Sequence, residues 1–312
     1  MTPRSPRGIV VRLAAGVAAL SFALVGCVAA DGSALAPDLP SPEPGAIRVV
    51  ATTTVLADLV ARVGGSLIRV TSLVPKGGEI HTFDPRPATL VAISEASLVV
   101  VNGLGLDDPL TDLVGTVGSK GPVLRLGDAL PPGSILVEEG LANPHAWLNV
   151  AHARSYVAAI ATALEAILPA KASQIATQAA AFDARLAELD AWTRTQLAAV
   201  PQANRKVIVL HDAFPYFAEA YGLEVIGSVI STPGQDPSAG EIADLLAAIK
   251  SSGARAIFSE AQFSDKLAHA IADEARMVVE SNLYDDTLGD APADSYEGLI
   301  RWDVDRIVAA LR

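Results

Sequence analysis

The stretch that most constrains the fold runs from about Pro169 to Val200, because it has no glycine and no further proline after Pro169. Apolar residues recur in it at every third or fourth position with charged residues between them, which is the period of an amphipathic helix. This apolar set comprises Ile175, Ala179, Phe182, Leu186, Leu189 and Trp192. At about 1.5 Å per residue the helix would be roughly 45 Å long, enough to cross a whole domain. We predict a rigid linking helix over 169–200; the alternative is one long helix of a single large domain.

The segments on both sides of the linking helix, residues 47–168 and 201–312, alternate short apolar strands with helices. This alternation predicts an α/β protein of two lobes, each with a mostly parallel sheet. The strands are predicted at 47–51, 68–74, 98–101, 123–126, 206–210, 223–229, 256–258 and 277–279. In open sheets of this kind ligands bind in the crevice at the carboxyl ends of the strands. We therefore expect the functional residues in the loops that follow the strands.

The N-terminus has the layout of a secretory signal. Three arginines, the last of them Arg12, precede an apolar run over residues 13–26 that is too short to span a bilayer. The run ends in Leu-Val-Gly before Cys27, which is similar to a bacterial lipobox. We predict a signal peptide over 1–26, lipidation of Cys27, an extracytoplasmic location at the membrane and a flexible tether over 27–46. In the alternative interpretation Cys27 is a buried side chain within an uncleaved anchor.

Composition excludes several functions. Cys27 is the only cysteine, so neither an internal disulfide nor thiolate chemistry in the folded part is possible. The formal net charge is −12, and loss of the three arginines of the predicted signal would make it −15. Such an acidic chain is a poor partner for nucleic acid. An apolar fraction of 51% indicates a well-buried globular protein.

Three of the five histidines fall in loops beside predicted strands. His81 follows the second strand, His211 directly follows the apolar run 207–210, and His145 lies in an Asn-Pro-His loop. An acidic loop with Asp285 and Asp286 follows the last predicted strand. Imidazole and carboxylate groups are strong ligands for first-row divalent metals, so these loops together predict a metal site. Taken singly, each of these histidines could equally be a helix cap, a surface group or a satisfied core residue.

The remaining histidines do not share this placement. His152 begins a predicted helix and His269 lies within one. We expect both to be solvated or lightly packed and outside the site.

Six motifs in this order resemble the zinc and manganese solute-binding lipoproteins of ABC transporters, known as the cluster A-I or cluster 9 family. They are the lipobox, HTFDPRP at 81–87, NPHAWLN at 143–149, LHDAF at 210–214, SEAQFS at 259–264 and YDDTLG at 284–289. The resemblance implies that a metal ion is bound between the lobes and delivered to a transporter permease. It implies His81, His145, His211 and an aspartate of the last motif as ligands. Asp286 matches the family's aspartate better than Asp285 does.

The chain departs from the family pattern at two places. Asn149 stands where the family usually has an aspartate, so it cannot supply a charged partner to the metal ligands. Residues 131–143 contain no histidine, so metal capture by a histidine-rich loop is not expected. Glu260 in SEAQFS could support a ligand, or it could cap the following helix or lie solvated in a turn.

Two other functions compete with metal carriage. Three histidines also make a catalytic zinc site in hydrolases, but the chain lacks the H-E-x-x-H pair, and a fourth ligand would close the position that a reactive water needs. A surface adhesin is the second alternative. Three imidazoles and one carboxylate favour zinc over manganese, because manganese prefers more oxygen ligands. We therefore predict a metal receptor that carries zinc and is not an enzyme.

Overall fold

The structure is a computed structural model that describes residues 39–138, 140–230 and 233–312. The predicted signal peptide, Cys27 and the tether up to residue 38 lie outside the described residues. The end of the tether contacts the folded part, since the Glu43 N–H donates to the Ser66 carbonyl at 2.9 Å. The Lys171 ammonium lies 3.8 Å from the Glu43 carboxylate. The limits predicted for the domains stay predictions.

The first lobe is built on a sheet of four parallel strands in the order β2-β1-β3-β4. Strand β3 is buried at every position, whereas the edge strand β4 is exposed or half-buried. The Thr53 hydroxyl accepts a hydrogen bond from the Leu56 N–H and starts helix α1. The elements of this lobe are β1 (Ile47–Ala51), α1 (Thr54–Gly64), β2 (Ile68–Ser72), α2 (Pro87–Glu95), β3 (Leu98–Val101), α3 (Asp108–Val117), β4 (Val123–Arg125), the antiparallel hairpin β5 (Val137–Glu138) and β6 (Leu141–Ala142), and α4 (Val150–Ile167).

The linking helix is α5 (Ala172–Ala198), and a short 3-10 turn over Pro169–Lys171 precedes it. Its buried stripe includes Phe182, Leu186 and Leu189, as predicted, but then continues through Thr193 and Leu197 rather than Trp192. Trp192 is only partly buried and lies under the Arg301 guanidinium, 4.7 Å from the ring centre. An α-helix has 3.6 residues per turn. Two successive steps of three residues, from Leu186 to Trp192, therefore leave the buried face, whereas a step of four from Leu189 to Thr193 stays on it.

The second lobe repeats the parallel architecture, with strands in the order β10-β9-β7-β8. Its elements are β7 (Lys206–His211), α6 (Pro215–Tyr221), β8 (Glu224–Ile230), α7 (Ala239–Ser252), β9 (Ala256–Glu260), α8 (Lys266–Ala275), β10 (Val278–Leu283) and α9 (Tyr296–Leu311). Helix α5 packs on α4 and α1 of the first lobe and on α9 and α6 of the second. The prediction of an α/β protein with two parallel sheets joined by a long helix is confirmed.

The β5-β6 hairpin of the first lobe is absent from the predicted strands, and helix α3 has only a weak sequence signal. Pro109 in the first turn of α3 is a helix-start signal, but Gly115 inside the helix weakens the pattern. The hairpin strands are only two residues long, too short for a period to be visible.

Among the described residues, no single helix has both the length and the apolar composition needed to cross a bilayer. Helix α4 and the helical stretch Pro169–Ala198 meet those criteria only as a pair, with a bend of 118° between them. The large apolar side chains on the inner faces of both helices, such as Ile160 and Phe182, are buried in the core of the protein.

Candidate metal centre

His81 lies in the loop after β2, and the preceding glutamate shapes that loop. The Glu79 carboxylate accepts hydrogen bonds from the His81 N–H at 2.7 Å and from the Thr82 N–H at 2.9 Å. It also accepts from the Thr82 hydroxyl at 2.7 Å. This bracing directs the imidazole across the cleft, where its Nε2 lies 3.4 Å from Asp286 Oδ2.

His145 precedes a 3-10 turn that leads into α4, and its ring is oriented by Asn143. The Asn143 amide nitrogen donates to the Asp212 carbonyl at 2.8 Å and to its carboxylate at 3.0 Å, so the amide oxygen is left to accept. That oxygen lies 3.0 Å from His145 Nδ1. The proton of the neutral ring is thereby placed on Nδ1, and the lone pair of Nε2 faces the cleft. Asn149 instead caps α4 by accepting from the Ala151 N–H at 3.0 Å.

His211 is the last residue of β7 rather than the first residue after it. Its Nδ1 lies 3.6 Å from the carboxylate of Glu260, which ends the neighbouring strand β9. Both side chains are buried, and neither His211 Nδ1 nor the two Glu260 oxygens has a hydrogen-bond partner in the described structure. Glu260 therefore lies behind the histidine and does not cap the following helix or face solvent.

The two aspartates of the acidic loop face different groups. Asp286 Oδ1 lies 3.6 Å from His145 Nε2, while its Oδ2 faces His81, and both oxygens are buried without a hydrogen-bond partner within the described chain. Asp285 is held differently, because its Oδ1 accepts from the Gln262 amide and from the Asp286 N–H. Its Oδ2 lies 3.3 Å from His211 Nε2. Asp286 is thus the carboxylate that faces two histidines, and Asp285 faces one.

The four side chains proposed from the sequence converge on one point of the cleft. Donor atoms of His81, His145, His211 and Asp286 all lie within 4.8 Å of one another. His145 Nε2 and His211 Nε2 are 3.4 Å apart. Donor atoms bound to tetrahedral zinc at about 2.0–2.1 Å lie roughly 3.3 Å from one another. The observed separations therefore fit a small divalent cation at the centre of the four groups.

Burial and neighbouring charges shift the pKa values of three of the four converging side chains. Burial lowers the pKa of His145 to about 3, with help from the two neighbouring histidines. Burial would raise the pKa of Asp286, but the histidines around it prevail and lower it to about 2. Burial would likewise lower the pKa of His211, but Asp285, Glu260 and Asp286 raise it to about 10. At neutral pH the metal-free centre therefore holds an ionised Asp286, a neutral His145 and a protonated His211.

The two histidines excluded from the site do lie outside it. His269 is exposed and pairs with Asp265 in its own helix at 3.2 Å. His152 is buried, contrary to the expectation of a solvated group, because its ring packs edge-on against Tyr216.

Several supporting residues escaped the sequence analysis. Asn143 and Glu79 orient His145 and His81 through contacts two residues along the chain, whereas Gln262 reaches Asp285 through a tertiary contact that no residue spacing signals. Asn143 and Glu79 do lie two residues before a predicted ligand histidine, which is the one signal that could have found them.

Comparison with known proteins decides the family. The sequence model described as ZnuA, zinc-uptake complex component A, periplasmic, matches residues 49–310. The chain belongs to this family. Zinc-binding protein TroA of Treponema pallidum is 29% identical over 271 residues, covering 84% of this chain and 88% of the relative. Its solved structure matches with a TM-score of 0.80 and 27% identity, covering 86% of this chain and 99% of that one.

Other relatives carry the names of other metals. Manganese-binding lipoprotein MntA of Halalkalibacterium halodurans is 28% identical over 270 residues, which is 85% of this chain and 88% of the relative. Iron-binding protein YfeA of Yersinia pestis is 29% identical over 284 residues, which is 88% of this chain and 89% of the relative. The chain is therefore a metal-binding receptor protein of ABC transporters, and membership of the family does not select one metal. Proteins of this family bind a solute and are not enzymes, so the hydrolase alternative is wrong.

Proposed function

We propose that this protein captures a divalent metal ion outside the cytoplasm and delivers it to the permease of an ABC transporter. His81, His145, His211 and Asp286 would be the ligands. The observation that carries this proposal is the convergence of three imidazole nitrogens and an ionised carboxylate within 4.8 Å of one another. Buried Asp286 oxygens that lack a hydrogen-bond partner in the described structure would be costly unless a cation completes the site.

Zinc is the proposed cargo. Three imidazole nitrogens and one carboxylate oxygen suit zinc, whose structural sites are four-coordinate. Asp285 is the group that could change this preference, since its Oδ2 lies 3.3 Å from His211 Nε2. An added carboxylate oxygen would raise the coordination number and favour manganese or iron. The names of the relatives include manganese, zinc and iron, so they do not distinguish between these metals.

Metal analysis of the purified mature protein, followed by thermal unfolding with each metal separately, tests the proposal. If the metal binds only the folded state, a thousandfold excess over the dissociation constant should add about 4 kcal/mol to the free energy of unfolding. Zinc should act at a far lower free concentration than manganese, and His211→Glu should narrow the gap. His269→Ala is the matched control, because His269 is exposed and outside the site. Equal stabilisation of the wild type by manganese at equal free concentration would overturn the choice of zinc.

We also propose that Cys27 carries a lipid that anchors the protein to the cell membrane, and that residues 1–26 are removed. The lipobox motif supports this, as do the relatives that are named lipoproteins. Cys27→Ser should abolish lipid attachment and leave the protein unprocessed or released. An unchanged mass and an unchanged membrane fraction would contradict the proposed anchor. An additional role as an adhesin stays a prediction.

A further inference from the structure

The acidic loop over residues 284–290 follows the last strand of the second lobe, yet its hydrogen bonds reach the first lobe. The Leu288 N–H donates to the Thr54 hydroxyl at 2.8 Å. The Trp147 indole N–H donates to the Asp285 carbonyl at 2.9 Å. Thr54 begins α1, and Trp147 lies in the turn before α4. The loop that presents Asp286 is therefore held by elements of the first lobe as well as by Gln262 and Asp303 of the second.

Thr287, the residue after Asp286, connects the acidic loop to the His81 loop. Its hydroxyl accepts a hydrogen bond from the Gly77 N–H at 2.8 Å and lies 3.3 Å from the Thr54 hydroxyl. Gly77 belongs to the loop that carries His81 and has a positive φ of 74°, so the chain turns sharply at this contact. Thr287 is buried, and each hydroxyl of the Thr54–Thr287 pair accepts from a backbone N–H. The pair forms a small, partly buried bridge between the lobes.

His211 is supported differently. It ends β7, a central strand of the second sheet, with Glu260 of β9 behind its Nδ1 and Phe263 edge-on to its ring at 5.0 Å. The ligand set is thus divided unequally. His81 and His145 belong to the first lobe, Asp286 follows the second sheet but its loop is bonded to the first lobe through Thr287 and Leu288, and His211 lies within the second sheet itself.

We propose that Thr287 is a positioning residue that, together with Thr54, fastens Asp286 to the first lobe. His81, His145 and Asp286 then form a preassembled three-ligand half of the centre, and His211 is the ligand that separates when the metal leaves. This inference rests on the proposed function, because it concerns the same metal centre. A carboxylate held in place before the ion arrives costs less to order on binding and slows metal release.

Zinc dissociation into excess chelator, followed by stopped flow, tests the role of the hydroxyl. Thr287→Val should raise the dissociation rate about fivefold, which corresponds to one neutral hydrogen bond. Thr287→Ser should restore the wild-type rate, because it keeps the hydroxyl. Thr54→Val should resemble Thr287→Val, and the double variant should be no faster than the faster single variant, since both act through one bridge. Thr177→Val is the matched control, because the Thr177 hydroxyl bonds only within α5.

The visible spectrum of the cobalt(II)-substituted protein supplies a readout that a general loss of stability would not move. Thr287→Val should shift the bands of bound cobalt, because the Asp286 carboxylate is displaced, whereas Thr287→Ser should leave them unchanged. A wild-type dissociation rate in Thr287→Val would overturn the inference, as would a serine variant that releases zinc as fast as the valine variant. Additive effects in the double variant would overturn the shared bridge. Failure of the wild type to bind zinc at all would instead refute the choice of zinc as cargo.

Discussion

At the scale of single residues, the side chains that contact the proposed ligands set the orientation and protonation of those ligands. Asn143 fixes the proton of His145 on Nδ1, and it is itself fixed by Asp212. Asn149, the position at which the chain departs from the family pattern, caps a helix. The departure therefore does not leave His145 without a partner, because the partner lies two residues before it.

These two asparagines give a matched pair of variants. Asn143→Ala should weaken zinc binding by about 10- to 100-fold, because the ring of His145 loses the group that orients it. Asn149→Ala should leave zinc affinity nearly unchanged but lower the free energy of unfolding by about 1 kcal/mol, because α4 loses its cap. Zinc affinity is measured by competition with a chelating dye, and stability by urea unfolding of the metal-free proteins. If Asn149→Ala weakened zinc binding more than Asn143→Ala, the assignment of these roles would be wrong.

The protonation of His211 makes metal binding depend on pH. Asp285 and Glu260 outweigh burial and raise the pKa of His211 to about 10, so the metal-free ring is charged at pH 8. A metal ion must displace this proton, so binding should release about one proton from His211 and weaken as the pH falls. Calorimetry at pH 8 in buffers of different ionisation enthalpy counts the protons. Glu260→Gln should lower the count, because it removes one of the charges that hold the proton; an unchanged count in this variant would contradict the explanation.

At the scale of secondary-structure elements, the sequence predicted those elements whose apolar residues follow a regular local pattern. The buried strand Leu98–Val101 was predicted with its observed bounds, since its apolar run is continuous. The polar end of β10, at Glu280 to Asn282, was missed because that edge strand is only partly buried. The same limit applies to the centre. The histidines in and beside the strand ends could be predicted, whereas Glu260 behind His211 and Asp212 beside Asn143 are reached only through the tertiary structure.

Helix α5 should contribute to stability without taking part in metal binding. Leu186 is buried in the core on the face of α5 turned to its neighbours. Leu186→Ala should lower the free energy of unfolding by about 2–5 kcal/mol, the range for a buried leucine that leaves a cavity. Glu188→Ala, on the exposed face of the same helix, should change it by no more than about 0.5 kcal/mol. Urea unfolding of the metal-free proteins measures both, and a similar cost for the two variants would refute the buried stripe.

At the scale of the whole molecule, the two lobes are joined by more than the linking helix. Helix α9 of the second lobe packs on α5 and on α1 of the first. The Tyr296 N–H, at the start of α9, donates to buried Asp58 of α1 at 2.9 Å. Arg185 of α5 lies 3.3 Å from Glu297 of α9. Contacts of this kind oppose a large separation of the lobes.

Small-angle scattering of the metal-free and zinc-loaded protein should therefore show nearly the same radius of gyration, with a difference of about 1 Å or less. The physical reason is that a wide opening would have to break the α9–α1 contacts or bend α5, which has no glycine or proline within Ala172–Ala198. Ala184→Pro, at an exposed position in the middle of α5, should kink the helix and widen the metal-free form, whereas Ala184→Gly should not. The proline variant also shows whether the measurement can detect an opening. A wide metal-free form of the wild type would mean that the linking helix does not limit the lobes, and release would then require more than the separation of His211 from the other three ligands.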